Sequence, residues 1–202
     1  NIGQKIDGTI TYFAFDAGTK SFSYFLSFQK KIYFSRDDGV TWQNWEDEKK
    51  KEIDALNDRA GEFSRAGDKE SARLLREQAS ALGKRNTENK APSGIIYIVA
   101  DPLKSGTIYA GTAKGLYRSI DYGKYWEKLN IIESAEKFPI RSIAINPKNS
   151  QEIVFVAGKT FYRSRDRGET WSITPLANER TAAFVAYDPF DGKTIFIGVS
   201  TK

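Results

Sequence analysis

Residues 161–171 read FYRSRDRGETW, and the core of this stretch, SRDRGETW over 164–171, recurs as SRDDGVTW over 35–42 and SIDYGKYW over 119–126. Each copy has a Ser (Ser35, Ser119, Ser164), an Asp two residues on (Asp37, Asp121, Asp166), a Gly two further on (Gly39, Gly123, Gly168) and a Trp three after that (Trp42, Trp126, Trp171). Three coincidences of that length are not chance. The Asp can accept hydrogen bonds from backbone amides a residue or two ahead, and the Gly can supply the positive φ that a tight bend needs. The Ser hydroxyl is placed to bond across the turn. The Trp opens the next strand and is expected to bury its indole against the neighbouring unit.

This pattern resembles the Asp-box, or BNR-type, repeat. The resemblance implies an all-β chain, a β-propeller built of four-stranded blades, with the box at the turn between the third and fourth strands of each. Residues 106–129, GTIYAGTAKGLYRSIDYGKYWEKL, look like a repeat of the sortilin-type receptors or the photosystem II assembly-factor propellers.

A second marker sets the period. Asp101 and Asn146 lie twenty residues before Asp121 and Asp166, Asp16 lies twenty-one before Asp37, and the two uninterrupted units repeat every forty-five residues. That spacing suits a four-stranded blade. After Asp188 the next box is due beyond Lys202. The expected division is a blade over 1–45, an insertion over 46–90, blades over 91–130 and 131–176, and half a blade over 177–202. The expected fourth strand of the first blade is 41–45. About three and a half blades do not close a ring, and open ends expose strand edges, so further blades from the same or another chain are expected to complete it.

The insertion breaks the period by about forty residues and changes its character to helical. Ile53, Leu56, Ala60 and Phe63 recur at spacings of three and four, as do Ala72, Leu75, Ala79 and Leu82, which predicts an α-helical hairpin. Asp68 stands as an N-cap and Gly83 as a C-terminal stop. Residues 46–90 hold eleven basic and eleven acidic side chains, so the net charge of +5 sits on the blades.

Composition narrows the chemistry. The 202 residues include no Cys and no His, which removes disulfides, thiolate chemistry and the commonest general base and metal ligand. No apolar run is long enough to span a bilayer. No Met occurs, even at position 1, so the sequence is expected to begin inside a gene product. No basic run or aromatic ladder marks a nucleic-acid site. No cofactor and no metal are expected.

Two kinds of function stay open. Lys30, Lys114 and Lys159 each fall five residues before a box Ser, in the turns between second and third strands. Blade topology puts those turns on the face of the insertion. They would form an arc of positive charge for a protein partner with an acidic patch, although lysine is also common in exposed turns. The first expectation is a non-catalytic binding or assembly-factor propeller, extracytoplasmic as Asp-box propellers mostly are. The alternative is a fragment of a carbohydrate-active propeller, of glycoside-hydrolase or sialidase-like type. Xyloglucanase-like relatives use two acids across a cleft; Asp191 and Glu133 are candidates, but nothing in the sequence pairs them, and the arginine triad of sialidase-like relatives cannot be assigned. The expectation is therefore that the chain is not an enzyme.

Overall fold

The computed structural model describes residues 10–16, 23–27, 31–84, 90–131, 139–177 and 180–200. The chain forms two compact units, one from 1–42 with 91–202 and one from 43–90.

The larger unit is a series of antiparallel sheets, each a simple meander. The first has three strands, β1 (Ile10–Phe15), β2 (Ser23–Ser27) and β3 (Ile32–Ser35). The second has four, β4 (Ile95–Ala100), β5 (Ile108–Thr112), β6 (Gly115–Ser119) and the short β7 (Glu127–Lys128). In the third, β8 (Ile140–Asn146), β9 (Asn149–Ala157), β10 (Thr160–Ser164) and β11 (Ser172–Pro175) repeat that order. Two strands, β12 (Ala182–Tyr187) and β13 (Ile195–Val199), form the last. The sheets stack face to face in sequence, β4 meeting β1 and β8, and β8 meeting β12. This is a partial, propeller-like arrangement of blades, with no closed ring among the described residues.

The cores lie between sheets. Tyr109 and Leu116 of the second sheet pack with Ile143, Ile145, Phe155 and Trp171 of the third. Val154 and Val156 of the third pack with Val185 and Tyr187 of the last. Alternate strand residues therefore serve opposite neighbours, and strands buried on both faces read as the near-continuous apolar runs IVFVA and IIYIVA. Backbones approach closely at these junctions: a Cβ on Gly111 would lie 2.7 Å from the Ile140 side chain and 3.0 Å from its carbonyl oxygen.

The smaller unit is a helical pair, α1 (Trp45–Arg65) and α2 (Lys69–Lys84). Ala60, Ala72 and Ala79 are buried where the helices touch, while Ile53, Leu56, Phe63, Leu75 and Leu82 are half-buried. Asp68 Oδ1 accepts from the Ser71 amide at 3.0 Å at the start of α2.

Two expected boundaries need correction. The strand expected over 41–45 is reduced to an isolated bridge at Gln43, and α1 begins at Trp45. The cause is Asn44, whose side chain accepts from the Asp47 amide at 2.9 Å and donates to the Asp47 carboxylate at 2.6 Å, a reciprocal N-terminal cap. At the other end α2 continues through Gly83 to Lys84.

Candidate functional site

The three repeated turns share one hydrogen-bond scheme. Each Ser hydroxyl donates to the Asp Oδ1, at 2.9 Å from Ser35 and 2.8 Å from Ser119 and Ser164. The Ser Oγ itself accepts from the Gly amide, at 2.7, 2.9 and 2.7 Å in chain order. Each Asp Oδ1 accepts from the amide four residues ahead, of Thr41, Tyr125 or Thr170, farther along than the sequence suggested. The Trp Nε1 closes the turn by donating to the Gly carbonyl at 2.9–3.1 Å.

The bend uses two left-handed residues. Gly168 has φ +94° and Arg167 before it has φ 62°, with Tyr122 and Asp38 alike in the other turns. A Cβ on Gly168 would also meet Leu129 Cδ1 at 2.7 Å, so this turn is pressed against the preceding sheet. Trp171 is 7% exposed and meets the Phe155 ring edge-on at 4.9 Å.

Hydrogen bonding holds Asp166 well below the usual carboxylate range. Its pKa is lowered to about 2, chiefly by the Thr170 hydroxyl and amide and then by Ser164. The same contacts from Thr41 lower Asp37.

A second repeated device joins each sheet to the next. Asp16 Oδ2 accepts from the Ser105 hydroxyl and the Gly106 amide, both at 2.9 Å. Asp101 Oδ1 accepts from the Ser150 hydroxyl at 2.6 Å as well as from the Leu103 and Lys104 amides. Asn146 Nδ2 donates to the Gly192 carbonyl at 2.7 Å. The residue that ends each first strand thus latches onto the turn four residues past its counterpart in the next sheet. The register marker of the sequence is a structural bond. Its partners were missed, although Ser105 and Ser150 stand at the same offset and could have been found by it.

These latches and the repeated turns lie on one side of the unit, since the Tyr122 amide bonds the Gly106 carbonyl and the Arg167 amide bonds the Gln151 carbonyl. Charged groups gather there. Arg118 donates to the Arg167 carbonyl at 2.9 Å and pairs with Glu127 and Glu169. Burial works against its charge, but the hydrogen bond Arg118 donates to Glu127 and the charges of the two carboxylates outweigh this and raise its pKa. Nearby, burial pushes the Tyr109 phenol up to about 12, with the positive charge of Arg118 opposing. In the third sheet Glu152 is the acceptor for Asn146 and Arg163, and these bonds hold its pKa down despite burial. Burial likewise pushes Tyr187 up to about 12.

Beside the third turn is a surface cavity of about 410 Å³ lined by Asn130, Ile131, Glu169, Thr170 and Trp171. It offers an amide, a carboxylate and a hydroxyl beside apolar walls, the mixture that orients a polar ligand.

Sequence-derived candidates fall in three places. Ser35, Asp37, Gly39 and Trp42, with their counterparts in the other two copies, build the turns just described. Lys114 and Lys159 lie in the β5–β6 and β9–β10 turns, whereas Lys30 and Glu133 lie outside the described residues. Asp191 is tied into its own loop by the Lys193 and Thr194 amides, and those bonds lower its pKa. Among the described residues every carboxyl that the surroundings shift is shifted downward, the direction of a charged acceptor and not of a proton donor. No group of three potential ligands for a metal occurs among them. Nor is any described helix long and apolar enough to cross a membrane.

No family model matches the chain, and no curated protein does. Solved structures do. An ancestral GH74 enzyme superposes with a TM-score of 0.62 at 16% identity, over 95% of this chain and 22% of its own. The extracellular domain of a one-component system from B. thetaiotaomicron superposes at 0.58 and 10% identity, over 97% of this chain and 21% of its own. YCF48 bound to D1 peptide superposes at 0.50 and 16% identity, over 91% of this chain and 44% of its own. The chain thus spans less than half the length of each. The shared fold is propeller-like. The expectation that the chain is not an enzyme is corrected by the first of these matches, because the fold found in nearly all of this chain is that of a catalytic protein.

Proposed function

We propose that this chain is part of a carbohydrate-active β-propeller of glycoside-hydrolase type, its blades being Asp-box repeats and its place of work outside the cytoplasm. The observation that carries the reading is the superposition of 95% of the chain on a GH74 enzyme at a TM-score of 0.62. The shared hydrogen-bond scheme of the three turns supports the Asp-box reading, and the likeness to an extracellular domain supports the location.

The described residues supply contact surface. Their shifted carboxylates are held ionised, so they can accept hydrogen bonds from sugar hydroxyls but are not poised as the general acid that glycoside cleavage requires. The cavity beside Trp171 has the donors and acceptors for such contacts in Asn130, Glu169 and Thr170. Native affinity electrophoresis with soluble xyloglucan in the gel tests this. The chain is expected to be retarded, and Asn130→Ala with Glu169→Ala to run faster. Unchanged mobility in xyloglucan and in other neutral β-glucans would contradict the proposal.

A second reading, peptide recognition, has the YCF48 likeness behind it. Its residues would be the turn lysines, Lys114 and Lys159 together with Lys30, and its partner a protein with an acidic patch. Fluorescence anisotropy with an acidic peptide separates the two readings: Lys114→Glu with Lys159→Glu abolishes peptide binding in the second and leaves glycan retardation intact in the first.

A further inference from the structure

Turn geometry consumes the Ser, Asp, Gly and Trp of each repeat, so the residues between them are available for other work. At the second, fourth and seventh places the first turn has Arg36, Asp38 and Thr41, and the third has Arg165, Arg167 and Thr170. The second turn has Ile120, Tyr122 and Tyr125 there instead. Ile120 is 71% exposed, and Tyr125 is partly exposed. The exchange gives up a bond. Thr41 Oγ1 donates to Asp37 Oδ2 and Thr170 Oγ1 to Asp166 Oδ2, both at 2.5 Å, whereas Tyr125 reaches Asp121 through its amide alone. One exposed isoleucine is ordinary. Three departures in one turn, one of them at the cost of a hydrogen bond that both other copies make, point to a ligand.

The β4–β5 turn beside it departs in the same direction. Leu103, 54% exposed, stands where the third sheet has Lys148. The two turns touch: the Tyr122 amide donates to the Gly106 carbonyl at 2.9 Å, and the Tyr122 hydroxyl lies 3.0 Å from Ser105 Oγ. A Cβ on Gly106 would lie 3.1–3.2 Å from three consecutive atoms of the Tyr122 ring, near-equal distances that put Gly106 over the face of the ring and not at its edge. The third sheet has Gln151 and Arg167 at these places. Sheets flank this surface on both sides, since Asp16 of the first bonds Ser105 and Asp101 bonds Ser150 of the third. The exposure of Leu103 and Ile120 therefore does not come from a chain end.

We propose that these two turns of the second sheet form a saccharide-binding surface, with Leu103, Ile120 and Tyr125 against the apolar C–H faces of neutral hexose units and Tyr122 as the floor that joins the turns. A tyrosine offers a ring to the C–H face of a sugar and a hydroxyl to its polar edge. Lys124, whose Nζ lies 5.7 Å over the Tyr125 ring, adds a donor beside it. Charge selects the ligand. An acidic partner would be better met one sheet farther on, where Lys148, Arg165 and Arg167 hold the equivalent positions. The second sheet replaces those cations with uncharged side chains. The inference rests on the carbohydrate reading but uses none of the residues that line the cavity beside Trp171.

The test is a triple variant, Leu103→Lys with Ile120→Arg and Tyr125→Thr. It gives the second sheet residues that the third already carries at the equivalent positions, so it is expected to fold. In native affinity electrophoresis with soluble xyloglucan, measured against mobility in a glycan-free gel, its retardation should fall well below that of the unaltered chain. With Asn130→Ala and Glu169→Ala added, no retardation should be left. Tyr125→Thr alone should weaken binding while raising the melting temperature, because it restores the Thr–Asp bond; a purely structural Tyr125 would not couple those two changes. Hydrogen exchange of the unaltered chain with the same glycan should show added protection at 101–106 and 119–126 and none at 146–151. Equal retardation of the triple variant and the unaltered chain, or no added protection at 101–106 and 119–126, would overturn this surface and leave the carbohydrate reading standing. An unaltered chain that neither xyloglucan nor other neutral β-glucans retard would overturn both. Fluorescence anisotropy with an acidic peptide covers the other class of partner: peptide binding lost in Tyr125→Thr, with glycan retardation unchanged, would give the surface to a peptide and overturn the proposal.

Discussion

The helical pair and the blade-like sheets solve the burial problem in opposite ways. In α1 and α2 the residues that vanish from solvent are alanines, and the large apolar side chains are only half-buried. Such a pair has close backbone approach but little apolar area to stabilise it, and much of its order comes from local terms: the Asn44–Asp47 cap, the Asp68 cap and acidic first turns. In the sheets, Tyr109, Phe155, Ile143 and Val154 are all but fully buried, and they meet partners from a different sheet. Their order is non-local. The difference teaches that one chain can carry a region whose stability is additive and local beside one that stands or falls by its junctions.

The largest expected effect breaks a junction. Trp171→Ala removes an indole packed between the third sheet and Leu129, together with its bond to the Gly168 carbonyl, and should cost about 3–5 kcal/mol in chemical denaturation. The sheet transition should move while the helical signal at 222 nm moves less.

A smaller loss is expected at a latch. Ser150→Ala withdraws one donor from the buried Asp101 carboxylate, whose Oδ2 has no partner among the described residues, and should cost about 1–3 kcal/mol. Asn44→Ala sharpens the contrast from the other side. It removes the cap of α1 and should cost about 1 kcal/mol, appearing as faster amide exchange in the first turn of α1 while exchange in β9 is unchanged.

The ionisable groups give the finest distinctions. Asp166 has its folded pKa lowered to about 2 from 3.8, so its contribution is present above the unfolded value and is lost as pH falls from about 4 towards 2. Acid titration of Asp166→Asn should show a shallower loss of sheet stability over that window. At alkaline pH, Tyr109 and Tyr187 have folded values raised from 10 to about 12. Their contribution is complete below pH 10 and fades as pH rises through 12. An ultraviolet titration should show a late-ionising phenol near pH 12 that Tyr109→Phe removes, and another that Tyr187→Phe removes.

What the sequence made legible follows the same division. The turns were readable because Ser, Asp, Gly and Trp sit within eight residues and repeat, and the helical pair because its stripes keep a spacing of three and four. Asn44 was missed because its cap falls where the repeat demanded a strand, and a local cap prevailed over the period. The latches were hard to read for another reason: Asp101 and Ser150 are separated by forty-nine residues, and only the common offset of Ser105 and Ser150 hints at the bond. Chemistry was the least legible. The turn carboxylates are consumed by turn geometry, so the likeness to a GH74 enzyme could be learned only from comparison in three dimensions.

Hydrogen exchange by mass spectrometry on the full chain, followed in increasing denaturant, tests the division most directly. Amides of β8, β9 and β10 should exchange only through global unfolding of their unit, with a steep denaturant dependence. Those of α1 and α2 should exchange earlier through local opening, with a shallow one. If the helices and β9 instead exchange at the same rate with the same dependence, the chain is one cooperative body and the contrast between local and junctional stability is wrong.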